Sequence, residues 1–98
     1  MRMMLKAQVP VEKGNEAFAS GKLGKIVQDL VAALKPEAAY FFPINGQRAM
    51  IVVFDMTDAS QIPVIVEPLF SGLNASVEFK PVMNLDDLQA GMKKIAGA

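Results

Sequence analysis

The sequence predicts an α+β domain: a four-stranded antiparallel sheet with helices packed on one of its faces. Three observations predict it. The opening "MRMMLKAQV" alternates, with Met3, Leu5, Ala7 and Val9 facing one way and Met4, Lys6 and Gln8 the other, the period of a strand with one strongly apolar face. Asn45-Gly46 separates two apolar runs, the strongest short hairpin signal, because both turn positions favour positive φ. Stretches with helical spacing lie before and after that hairpin.

The elements follow in order. Pro10 ends the first strand. In "GNEAFASGKLGK", Asn15 is expected to cap a short first turn or two and Gly21 to break it, so that the main helix starts near Lys22. Leu23, Ile26, Val27, Leu30, Val31 and Leu34 recur at steps of three and four and define that helix's apolar face; Pro36 stops it. A two-residue turn at Asn45-Gly46 pairs Ile44 with Gln47, Phe42 with Ala49 and Tyr40 with Ile51 on one sheet face. Phe41, Pro43, Arg48, Met50, Val52 and Phe54 share the other, and Pro43 marks the second strand as an edge. "DASQIPVIVEPLFSGLN" reads as a second main helix, capped by Asp58 or Ser60, with Pro63 in its first turn, Pro68 expected to kink or shorten its last turn, and Gly72 near its end. "ASVEFKPVM" is the fourth strand, with Val77, Phe79 and Pro81 on one face and Ser76, Glu78 and Lys80 on the other. "NLDDLQAGMKKIAGA" is a final helix: Asn84 caps it, Asp86 and Asp87 sit at its positive end, and Lys93 and Lys94 at its negative end.

The order β-α-β-β-α-β plus an extra C-terminal helix is the ferredoxin-like split βαβ plan. It places the first and third strands centrally and uses residues 1–98 as a single domain. The third strand, "AMIVVFDM", is apolar on both faces. Helices cover only one face of a four-stranded sheet, and an exposed apolar face of several hundred Å² is unusual for a soluble monomer. A second copy related by two-fold symmetry is the simplest cover, so a homodimer is expected.

Over almost its whole length the chain resembles small single-domain proteins of the dimeric α/β-barrel superfamily. The resemblance is carried by the element order, by "NASVEFKPVMN" with Pro81, and by the helix after it. It implies a dimeric α/β barrel. It also implies a range of activities: cofactor-free monooxygenases, isomerases, haem-processing enzymes and many uncharacterised proteins. It brings no catalytic motif, so one activity transfers only by analogy of fold.

Composition narrows the chemistry. The 98 residues contain no Cys and no His, which removes disulfides, thiolate nucleophiles, the usual metal ligands and the default general base at neutral pH. No cofactor is expected. Ten basic and ten acidic residues leave no net charge, a poor match to phosphate backbones. The strand order is shared with RNA-recognition modules, but Met50 and Asp55 stand where stacking aromatics belong, so nucleic acid is not an expected partner. "MRMMLKAQVP" is interrupted by Lys6 and Gln8 and does not read as a signal peptide. "IPVIVEPLF" has about half the length that a bilayer span requires and carries Glu67. The expectation is a soluble cytoplasmic protein without a membrane partner.

A phosphate-binding loop requires G-x-x-x-x-G-K-[ST]. Here six residues separate Gly14 from Gly21, and Leu23 follows Lys22. The glycines therefore read as helix punctuation.

The remaining candidates are Lys6, Gln8, Glu78 and Lys80 on neighbouring strands, together with Tyr40, the only tyrosine. Read as structure, they form a solvated face with cross-strand ion pairs, and Tyr40 packs with its hydroxyl at the rim. Read as function, they form a polar patch beside apolar sheet residues that orients a small acidic or carbonyl-bearing ligand. An aligned Lys6–Glu78 pair would occupy one rung. Arg48 reads as a solvated edge residue, with contact to an anion as the alternative. The reading favoured is a small homodimeric protein that binds a small, largely apolar molecule at the sheet face. A cofactor-free monooxygenase- or isomerase-like enzyme and a regulatory or assembly module are the alternatives, and whether there is catalysis stays open.

Overall fold

The computed structural model describes residues 1–97; Ala98, with which the predicted final helix ends, lies outside the described residues. The chain runs β1 (Arg2–Val9), α1 (Val11–Ser20), α2 (Lys22–Leu34), β2 (Ala38–Ile44), β3 (Gln47–Asp55), α3 (Gln61–Leu73), β4 (Ser76–Pro81) and α4 (Leu85–Gly97). The four strands form one antiparallel sheet in the order β2-β3-β1-β4. As expected for a ferredoxin-like plan, β1 and β3 are central and β2 is an edge. Asn45 and Gly46 take φ of 54° and 74°, the positive values that the hairpin turn requires.

The alternation of β1 decides where the core lies. Met3, Leu5, Ala7 and Val9 are buried, as are Met50, Val52 and Phe54 of β3. Leu5 sits between Val52 on one side and Phe79 on the other. Leu30 of α2, Ala17 of α1 and Ile65, Leu69 and Leu73 of α3 complete the cluster. The Phe79 ring meets Phe54 edge-on, with centroids 6.3 Å apart. Full burial of a Leu, Val or Phe contributes about 1.5–3 kcal/mol each, so these positions hold the helices to one sheet face and leave the other uncovered.

Three local features differ from expectation. First, α1 is a full helix of ten residues beginning directly after Pro10, and Asn15 lies within it rather than capping it. The fixed φ of Pro10 suits a helix entrance, the Gly14 amide donates to the Pro10 carbonyl at 2.8 Å, and burial of Gly14 and Ala17 against the sheet outweighs their neighbours' weak propensity. Gly21, at φ 81°, does end this helix. Second, the Ser60 side chain makes no capping bond to α3. Instead Gln61 Oε1 accepts from the Thr57 and Asp58 amides at 2.9 and 3.1 Å. Ser60 Oγ donates to Asp58 Oδ2 at 2.7 Å, and this bond holds the Asp58 carboxyl below its ordinary range. Third, Pro68 does not shorten α3, which continues through it to Leu73. Proline removes the donor to the carbonyl four residues back, here Val64, whose residue is exposed and open to water.

Helix α4 is capped reciprocally. The Asp87 amide donates to Asn84 Oδ1 at 2.8 Å and the Asn84 amide to Asp87 Oδ2 at 3.1 Å. Arg2 bridges this root to the α2–β2 join, donating to Asp87 Oδ2 at 3.2 Å and to Glu37. Past the root α4 has no buried residue, and the molecule is elongated, 55 × 28 × 17 Å. Among the described residues no helix is long and apolar enough to cross a membrane.

Candidate functional site

The uncovered sheet face is built by parity. Residues on β1 that alternate with the core positions are Met4, Lys6 and Gln8, and the pairing register extends each into a rung across all four strands. One rung runs Tyr40–Ile51–Lys6–Glu78. The next toward the hairpin runs Phe42–Ala49–Gln8–Ser76, and the next away from it Ala38–Val53–Met4–Lys80. All five candidate residues therefore share one face, and Lys6 stands directly opposite Glu78.

The face divides along its width. On β2 and β3 it is apolar and aromatic: Ala38, Tyr40, Phe42, Ala49, Ile51 and Val53. On β1 and β4 it is mostly polar. Tyr40 at the edge is 66% exposed, Lys6 and Gln8 are half-buried, and Glu78 and Lys80 are exposed. From Tyr40 to Glu78 the central rung crosses three interstrand spacings, roughly 14 Å.

The expected cross-strand ion pair does not close. Among the described residues the ion pairs join Met1 to Asp55, Arg2 to Glu37 and Asp87, and Lys25 to Asp29; Lys6, Glu78 and Lys80 belong to none of them. Gln8 Nε2 donates to Gln47 Oε1 at 2.7 Å, which fixes two amides at the hairpin end of the face. The parity of Gln47 with Ala49 and Ile51 is visible in the sequence, but its bond to Gln8 depends on the β1–β3 register, which is not.

Chemically the central rung offers a phenol, an ammonium and a carboxylate over an aliphatic floor. It can orient a small molecule bearing a carbonyl or acid group, and it contains groups able to give and take a proton. An open sheet is a surface, however, and enclosure of a ligand there requires a second layer. Two apolar hollows of the described residues lie on the helix side: one between α2 and α3, lined by Ile26, Leu30, Val64 and Pro68, and one between α2 and the β2–β3 hairpin.

Arg48 is exposed, as the sequence suggests, but it lies on the central strand β3 and its side chain is held in place. Its Nη1 donates to Asn15 Oδ1 at 3.0 Å, and its Cζ lies 5.7 Å from the centre of the Phe18 ring. Both partners come from α1, the helix whose extent the glycines conceal. The stretch from Gly14 to Lys25 joins two helices: Ser20 Oγ accepts from the Lys22 amide at 3.3 Å at the start of α2.

No family model matches the chain, and no curated protein matches it in sequence.

Proposed function

We propose that the protein works as a homodimer and binds a small, largely apolar molecule carrying a carbonyl or acid group between the uncovered sheet face and its second copy. The observation that carries this reading is the rung Tyr40–Ile51–Lys6–Glu78, where polar groups that form no ion pair among the described residues flank an aliphatic centre. Isolated solvent-facing charges on neighbouring strands ordinarily approach one another for a modest gain. The apolar β2–β3 half is the part of the face that a second copy covers most favourably. A two-fold axis gives both copies the same contact, and the polar half lines the space left between the layers.

The same rung supports a second reading, proton transfer on the bound molecule without a cofactor, with Tyr40 or Lys6 as donor and Glu78 as acceptor.

A thermal-shift screen of small carbonyl compounds and acids against the wild type, Glu78→Gln and Lys6→Met tests the site. The expected result is a ligand whose stabilisation of the wild type is lost in both variants while their ligand-free melting temperatures stay within a degree or two. If the variants change stability or assembly and leave the response to every compound intact, the rung is structural only.

A further inference from the structure

We infer that the hollow between α2 and the β2–β3 hairpin is a second binding site, for an apolar carboxylic acid whose carboxylate pairs with Arg48. The hollow is about 420 Å³, within the range of small-molecule sites. It lies on the helix side of the sheet, opposite the face discussed above, and does not depend on that reading. Its walls are Leu23 and Val27 of α2, Phe41 and Pro43 of β2, and Met50 and Leu73. Of all the residues lining it, only Arg48 carries a polar side chain.

The hollow arises from the edge position of β2. Phe41 faces the helix side, opposite Met50, yet it is 57% exposed, because the helices stop short of the sheet edge. Water against this apolar lining gains few hydrogen bonds, and an apolar body displaces it favourably.

Arg48 is seated at this apolar site. Nη1 has one partner, Asn15 Oδ1, and the guanidinium lies against the Phe18 ring, an arrangement that holds a cation without neutralising it. Arg48 is in no ion pair among the described residues. Four of its five N–H donors have no protein acceptor among the described residues, and two of them can serve a carboxylate side by side. Gly14 makes the seat possible. A Cβ there would stand 2.8 Å from Arg48 Nη1 and 3.3 Å from Val9 Cγ1. That is a physical reason for a glycine inside α1, where alanine is ordinarily favoured. An apolar hollow open at the sheet edge, with one oriented, unneutralised guanidinium at its exposed rim, selects an acid with an aliphatic or aryl body over both a neutral analogue and a short acid.

The test is titration calorimetry of the purified protein with decanoate, decanol and acetate, with amide chemical shifts to locate binding. Decanoate is expected to bind once per chain and to perturb α2 and the β2–β3 hairpin, decanol at least tenfold more weakly, and acetate not measurably. Arg48→Gln should weaken decanoate about tenfold or more, in line with loss of a charge-assisted pair, and leave decanol unchanged. Asn15→Asp places a carboxylate against Arg48 and should cause the same selective loss while α1 stays folded. Glu78→Gln and Lys6→Met should leave decanoate binding intact. The inference is overturned if decanoate fails to bind, if decanol binds as tightly, if the perturbed amides lie on the open sheet face, or if neither Arg48→Gln nor Asn15→Asp weakens decanoate.

Discussion

Gly46 and Gly24 are both glycines with open space where a Cβ would go, and they should respond to alanine with opposite signs. Beyond the adjoining backbone, no heavy atom lies within 4 Å of either Cβ position, so tertiary packing contributes nothing and the backbone decides. Gly46 sits at φ 74° in the hairpin turn, where an L-residue costs roughly 1–2 kcal/mol. Gly24 lies in α2, where alanine is favoured by about 1 kcal/mol. Urea denaturation should therefore show Gly46→Ala destabilised and Gly24→Ala stabilised; equal signs would mean that the turn or helix geometry is misassigned. The turn and the parity of Lys6, Gln8, Tyr40, Glu78 and Lys80 were legible in the sequence because both depend on local geometry: φ at two residues and the two-residue period of a strand. The seat of Arg48 was not legible. It joins residues on two elements far apart in sequence, and one of them, α1, is masked by Gly14 and Asn15, which read locally as turn residues.

At the scale of elements, α4 behaves unlike the other helices. The apolar face of α2 was readable from its spacing because it packs on α3 and the sheet, and tertiary burial supplies most of a helix's stability. The α4 pattern is equally regular, with Leu85, Leu88, Met92 and Ile95 in steps of three and four, yet all four are exposed. Periodicity shows that a face is apolar without showing what it meets. The cap at Asn84 therefore matters for α4 far more than for the fold. Replacing an N-cap by alanine costs about 1 kcal/mol of helix stability. Asn84→Ala should increase amide exchange within α4 while protection in β1 and β3 stays unchanged. Loss of protection in β1 would show that α4 is coupled to the core. Pro68 makes the converse point: its local rule favours a break, and Leu69 and Leu73, both 1% exposed, hold α3 together beyond it.

For the whole molecule, the two faces of β3 set the organisation. Val52 and Phe54 are at most 1% exposed beneath the helices, while Ile51 and Val53 are half-buried on the uncovered face. The sequence showed that both faces are apolar, but it could not assign them, because a strand's alternation is symmetric until the helices choose a side. The assignment separates two roles: one face folds the chain, and the other is left for the second copy and the ligand that we propose. Multi-angle light scattering at micromolar concentration, on the wild type and on Ile51→Ser/Val53→Ser, tests this most directly. The expected masses are twice the 10.6 kDa chain mass for the wild type and a single folded chain for the double variant. A wild type that scatters as a clean monomer, or a double variant that remains a dimer, would contradict the account.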